Sequence, residues 1–205
     1  MRHLLFVLAL LVPAMLVPTT SQAIEEPDFE VLRKVGEVEV RQYAPYVVAE
    51  VLVTGPAMEA GNRAFPILAG YIFGKNKGER KFAMTAPVTQ TAAPVRMAMT
   101  APVTQTESAE GTVVQFVLPK GVTLASAPEP VDARVVLREV PGALVGAVRY
   151  SGFWSEANNR TQLARLHADL RAADLAWTGE PTYSRYNGPM TPWFMRRNEV
   201  WLTLR

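Results

Sequence analysis

The chain has 205 residues, 49% of them of hydrophobic type, and a formal net charge of +2 from 21 basic and 19 acidic side chains. That is enough chain for one domain with a sizeable core, and the near-balanced charge, without a basic stripe, gives no sign of a nucleic-acid partner. The absence of cysteine excludes disulfides, thiolate metal sites, a cysteine nucleophile and attachment of a prosthetic group through a Cys-x-x-Cys-His segment.

Met1, Arg2 and His3 precede an apolar run over residues 4–17, and Ser21-Gln22-Ala23 offers the small side chains at which a signal peptide is cut. The reading is export, with residues 1–23 removed near Ala23 and residues 24–205 left as one periplasmic or extracellular domain. The run is broken by Pro13 and is too short to cross ~30 Å of hydrocarbon. No later stretch approaches that length, so the mature chain is expected to be soluble and to carry no transmembrane anchor.

Alternation of apolar and polar residues predicts strands over residues 29–35, 37–43 and 46–54. Gly55-Pro56 opens a helix with Pro56 near its first position. At 3.6 residues per turn Met58, Phe65, Leu68, Ala69 and Ile72 share a face, with Gly61 among them, and Pro66 is expected to kink the helix. Such a stripe packs a core, and its small members could also receive a planar ligand. The basic turn over residues 74–81 lacks the order of a nucleotide loop and reads as a solvated turn or as a lip for a ligand carboxylate.

The nine residues Ala-Met-Thr-Ala-Pro-Val-Thr-Gln-Thr then occur twice, at 83–91 and 98–106. Each copy is one amphipathic extended segment: Phe82, Met84, Ala86 and Val88 share a face in the first, and Met97, Met99, Ala101 and Val103 in the second. The internal prolines predict an edge or a bend, because proline cannot donate to a ladder. The first copy follows the helix and the basic turn, so Met84 is the one expected to reach a groove and Met99 the one expected to pack core.

Strands follow over 112–118, 134–140 and 144–150. Ser155 caps a second helix running to about Asp174, with Leu163, Leu166 and Leu170 as its buried stripe. Strands at 181–186 and 198–204 end the chain. The order describes a single α+β domain with two main helices and a mostly antiparallel sheet, built as two similar halves.

Several stretches together resemble the SOUL/haem-binding protein family: Val38-Glu39-Val40-Arg41-Gln42-Tyr43, Ala64-Phe65-Pro66, Tyr71-Ile72-Phe73-Gly74-Lys75-Asn76, both Met-Thr-Ala-Pro-Val copies, Val148-Arg149-Tyr150-Ser151-Gly152-Phe153, and Tyr186-Asn187-Gly188-Pro189 through Arg196-Arg197-Asn198-Glu199-Val200. They cover nearly the whole of residues 24–205. The resemblance implies a distorted antiparallel barrel and reversible, non-covalent binding of haem or another porphyrin. It places an apolar groove between the first helix and the loop before the last strand, lined by Phe65, Leu68, Ala69 and Ile72 on one side and Met190, Trp193 and Phe194 on the other. Thr191 stands at a loop position that is basic in animal members.

His167 is the histidine left after signal cleavage and the candidate metal ligand, although a residue bordering an apolar helix stripe is more often packed than ligating. Met84, Met97, Met99 or Met190 could offer a thioether instead, and Tyr71, Tyr183 or Tyr186 a phenolate. There is no nucleophile elbow and no histidine pair, and no carboxylate pair stands out. Glu199 is expected to pair with Arg196 or Arg197. The function expected is a non-catalytic carrier or buffer for a tetrapyrrole. The alternatives are an enzyme or accessory factor acting on such a ligand, and a module that binds a peptide or lipid. The sequence identifies no partner that would deliver cargo.

Overall fold

A computed structural model describes residues 25–78 and 94–205. The signal segment and the first repeat copy, including Met84, lie outside the described residues. Strands β1 (Phe29–Val35), β2 (Val38–Tyr43) and β3 (Tyr46–Val53) precede helix α1 (Ala57–Ile72). After it come β4 (Val103–Ser108), β5 (Gly111–Val117), β6 (Val136–Val140), β7 (Leu144–Tyr150), α2 (Glu156–Ala172), β8 (Trp177–Arg185) and β9 (Asn198–Leu204).

The nine strands form one sheet in the order β1-β2-β7-β9-β8-β4-β5-β3-β6, and every pairing is antiparallel. Without β1 the order is symmetric about its middle: β2-β7-β9-β8 repeats as β6-β3-β5-β4. Each half is therefore two strands, a helix and two more strands, with its first strand lent to the edge of the other half. The halves join where β4 pairs β8 through Val103↔Arg185, Thr104↔Ser184, Gln105↔Tyr183 and Thr106↔Thr182. The sheet ends at β1 and β6, so the expected barrel is an open one.

Both helices cover the same face. Small Ala60, Ala64 and Ala69 let α1 approach the sheet, where Leu68 and Ile72 fill the space against Ala49 and Val51 of β3 and Val114 and Phe116 of β5. Leu166 and Leu170 of α2 pack on Val38, Val40, Val148, Val200 and Leu202. Gly146 of β7 leaves room for this, since a Cβ there would meet Leu170 Cδ2 at 3.1 Å. The cap is the expected one, with Ser155 Oγ accepting from Asn158 N at 3.2 Å. Helix α1 continues through Pro66, whose missing N–H leaves the carbonyl of Asn62 without its helical donor.

The second repeat copy is not an edge strand but bends at Ala101, directly after Thr100, the other outcome expected of it. Residues 94–102 pair with no strand, and the ladder begins at Val103, directly after Pro102, so that no ladder donor is lost. Strand β4 then lies in the middle of the sheet, between β8 and β5, rather than at an edge. Single bonds hold the stretch before it: Met97 N to Ile72 O, Ala101 N to Glu25 O, and Thr100 Oγ1 to Val117 O.

The helix-free face carries Tyr43, Val145, Ala147, Tyr186 and Trp201, packed around the fully buried Glu199. Its carboxylate accepts from Arg41 Nη1 at 2.7 Å and Nη2 at 3.1 Å, Arg197 Nε at 2.9 Å, Tyr186 Oη at 2.9 Å and Trp201 Nε1 at 2.7 Å. Burial alone would raise its pKa, but the hydrogen bonds and charge of Arg41, with Arg197 and Trp201, hold it below the ordinary carboxylate value. Arg197 is a partner as expected. Arg196 is not, and Arg41, 158 residues away in the chain, takes that place.

Candidate ligand groove

On the helix face, a groove of about 620 Å³ opens over the seam between the halves. Its walls are Gly61, Asn62 and Phe65 of α1, Met99 and Val103 from the second repeat copy, Trp154 ahead of α2, Arg185 and Tyr186 at the end of β8, and residues 187–189 of the loop that follows. The volume is in the range of small-molecule sites, and the lining mixes aromatic and apolar groups with a few polar ones. Two other cavities, of about 370 Å³ on the helix-free face and 270 Å³ near Glu25 and Lys120, are smaller and more polar in lining.

The loop wall is stapled. Arg196 Nε donates to Thr191 O at 2.7 Å and its Nη2 to Pro189 O at 2.9 Å, while Asn187 Oδ1 accepts from Arg197 N at 2.6 Å. Asn198 Nδ2 reaches Gly152 O at 3.3 Å, and Gly152 N donates to Trp193 O at 2.9 Å, tying this loop to the one that carries Trp154. The Arg-Arg-Asn-Glu run thus builds one wall with Arg196 and Asn198 and the opposite face of the sheet with Arg197 and Glu199.

The groove floor is polar. Arg185 Cζ lies 3.9 Å over the Trp154 ring, and its Nη2 donates to Gln105 Oε1 at 3.2 Å. Gly61 makes room for the pair: a Cβ there would collide with Gln105 Nε2 and come within 3.0 Å of Arg185 Nη2. Three buried atoms at this floor lack a partner among the described residues: Arg185 Nε, Gln105 Nε2 and Trp154 Nε1. Burial, with Arg196 nearby and Tyr150 acting the other way, pushes the Arg185 pKa down to about 10, so it stays charged at neutral pH.

Of the residues expected in the groove, Phe65 lines it and stands edge-on to Phe116 at 5.5 Å. Leu68, Ala69 and Ile72 are buried in the core beneath α1 instead, and Met58 is half-buried outside the lining. Helical period alone cannot separate them, because one stripe serves the groove in its first turns and the core in its last. Met190, Trp193 and Phe194 are 93%, 49% and 62% exposed on the loop beyond Pro189, where Trp193 stacks on Phe153 at 5.3 Å and meets Phe194 edge-on. They adjoin the groove but do not line it.

Met99, expected to pack core, is packed against the cluster beneath α1 and also lines the groove. Of the expected iron ligands within the described residues, it is the methionine that does so. Tyr186 also lines the groove, but its hydroxyl donates to Glu199 and burial pushes its pKa far up. Tyr71 Oη donates to Pro128 O at 2.8 Å inside the core. His167 stacks on Trp177 at 4.8 Å, at the start of β8, whereas the groove is at the strand's other end. Burial and Arg171 lower its pKa. No cluster of three His, Cys, Asp or Glu that could hold a metal ion is present among the described residues. The described part of the basic turn, residues 74–78, is absent from the lining, with Lys77 paired to Glu129 at 2.6 Å and Asn76 binding the carbonyls of Tyr71 and Val95. None of the described helices is long and apolar enough to cross a membrane.

Sequence reasoning missed Arg185, Gln105 and Trp154. The period-two pattern of the strand held the signal for Arg185: two residues after Tyr183, which packs towards α2, it faces the helices and not water.

Comparison with known proteins agrees with this architecture. Heme-binding protein 2 of Homo sapiens is 27% identical over 188 residues, spanning 89% of this chain and 87% of its own length. Heme-binding protein 1 of Mus musculus is 29% identical over 153 residues, covering 72% of this chain and 73% of its own length. The structure of a hydrolase from Listeria innocua superposes with a TM-score of 0.56 at 14% identity, covering 85% of this chain and 94% of that one, which is a likeness of fold alone. The model of the SOUL heme-binding protein family matches residues 24–203, nearly all of the chain beyond the expected signal, and the protein belongs to that family.

Proposed function

We infer that the protein binds haem or a related porphyrin reversibly and without covalent attachment in the groove over the β4–β8 seam, and that it acts as a non-catalytic carrier or buffer. The observation that carries this reading is the groove itself: about 620 Å³, walled by Phe65, Met99, Val103 and Trp154, in a chain of this family. In this proposal residues 1–23 direct export to the periplasm and are removed, residues 24–205 are the binding domain, and the exposed Met190, Trp193 and Phe194 form an apolar rim beside the opening.

Apolar contact supplies most of the affinity. Burying roughly 300 Å² of porphyrin at ~25 cal/mol/Å² offers about 7–8 kcal/mol before ordering costs, a contribution that needs no iron ligand. Haem titration into the protein, followed through the Soret band, tests the reading. The expected result is saturable binding with one haem per chain, and metal-free protoporphyrin within about tenfold of haem, a gap below ~1.4 kcal/mol. A haem preference of a hundredfold or more would assign the affinity to coordination, and no Soret change would reject the porphyrin altogether.

A further inference from the structure

Arg185 is a charged group that the surrounding fold leaves incompletely matched. The described residues give its guanidinium one acceptor, Gln105 Oε1 on Nη2, and no salt bridge. Its Nε is buried without a partner among the described residues, while the side chain itself lines the groove. Beside burial, Tyr150 acts to favour its charge and a second cation, Arg196, acts against it, while Arg196 itself donates to the loop carbonyls of Thr191 and Pro189. Two further buried donors in the same cluster, Gln105 Nε2 and Trp154 Nε1, have no acceptor among the described residues. Three donors from three separate elements, one of them cationic, are thus held around one spot with acceptors in short supply. Buried polar groups are ordinarily matched, and a buried cation more strictly so. Water could satisfy a donor or two there but cannot balance the charge.

We propose that Arg185 is an anion-receiving floor, and that the groove takes a flat apolar ligand with a carboxylate turned inward onto its guanidinium. This rests on the porphyrin reading and adds an orientation to it: an acidic edge points into the seam, with the apolar body along Phe65, Met99 and Trp154. The guanidinium is well suited to the task, since its planar fork matches a carboxylate and the Trp154 face holds the plane in place. Gly61 is part of the device, because any side chain there would displace the Gln105–Arg185 pair. Lys75 and Lys77, the described cations of the basic turn, are absent from the lining.

The test is fluorescence titration of protoporphyrin IX, which has two carboxylates, and of its dimethyl ester, which has none, into the full chain and into Arg185→Leu and Arg185→Lys. The expected result is a wild-type preference for the diacid of about tenfold or more, in line with a charge-assisted hydrogen bond. Arg185→Leu removes that preference by weakening the diacid alone, and Arg185→Lys, which keeps the charge, restores part of it. Equal wild-type affinity for diacid and ester, or equal weakening of both by Arg185→Leu, overturns the role of Arg185 while leaving the porphyrin reading intact. Failure of both porphyrins to bind the wild type overturns both.

Discussion

Each face of the sheet holds an arginine, Arg41 buried on one and Arg185 half-buried on the other, and they are treated in opposite ways. On the helix-free face Arg41 donates to Glu199 through Nη1 and Nη2, to Glu39 through Nε at 3.0 Å and Nη2 at 2.9 Å, and to Tyr43 Oη at 3.2 Å. Burial alone would lower its pKa, but Glu199 raises it well beyond the ordinary guanidinium value. On the helix face Arg185 has a glutamine, an indole ring and an unmatched Nε, and its pKa is driven down. A pair closed on itself ties β2 to β9 and has no capacity left over. An open one, at the bottom of an apolar groove, keeps its capacity for something else.

The largest expected effect comes from opening the closed pair. Glu199→Gln leaves Arg41 and Arg197 facing a neutral group in a buried site, which costs about 3–5 kcal/mol. For a domain of this size that lowers Tm by roughly 10 °C, with porphyrin affinity of the folded fraction unchanged. A loss below ~1 kcal/mol in urea titration would contradict the account of this face. The effect depends on pH with a definite sign. Because the folded Glu199 pKa is depressed, its contribution is fully present above the unfolded value of ~4.3 and is lost as pH falls through the lower folded one. The stability gap between wild type and Glu199→Gln should stay constant from about pH 5.5 to 8 and close below about pH 4.

A smaller effect sharpens the other side of the comparison. Gly61→Ala adds a methyl that collides with Gln105 Nε2, while the helix itself gains up to ~1 kcal/mol in propensity. Protoporphyrin affinity is expected to fall several-fold with Tm unchanged or slightly raised. A large drop in Tm with unaltered affinity would show that the Gln105–Arg185 pair holds the fold rather than the ligand.

The smallest effect is expected at His167. His167→Ala loses a stack on Trp177 at the far end of β8 from the groove, so the haem absorption spectrum should not change. Loss of a low-spin band in that variant would restore it as an axial ligand.

How much of this was legible in the chain differs between the same two faces. The strands of β1, β7 and β9 follow from alternation alone, and Ser155 marks the start of α2 as a cap should. The stretch over 94–102 misled because Met97, Met99 and Ala101 alternate like a strand although single tertiary bonds, not a ladder, hold it. Glu199 was recognisable as a paired residue from Arg197 beside it, whereas Arg41 is joined to it only by the pairing of β2, β7 and β9. Phe65 was found in the groove, and Leu68 and Ile72 were assigned there with it, because a helix stripe does not reveal which neighbour covers each turn. Arg185 was overlooked for a related reason: a charge in a strand reads as a solvent-facing residue until the register of its neighbours is known.

If Arg41 serves the fold and Arg185 serves the ligand, one thermal-shift experiment separates them directly. Wild type, Arg41→Leu and Arg185→Leu are melted with and without protoporphyrin IX at about 100 times the wild-type Kd, where binding adds ~2.7 kcal/mol and raises the wild-type Tm by roughly 5–10 °C. The account predicts that Arg41→Leu melts on the order of 10 °C lower without ligand and keeps the full increment. It predicts that Arg185→Leu melts within about 3 °C of wild type and loses at least half of the increment, as a tenfold weaker Kd requires. An Arg185→Leu variant that melts as low as Arg41→Leu, or that keeps the whole increment, would contradict it.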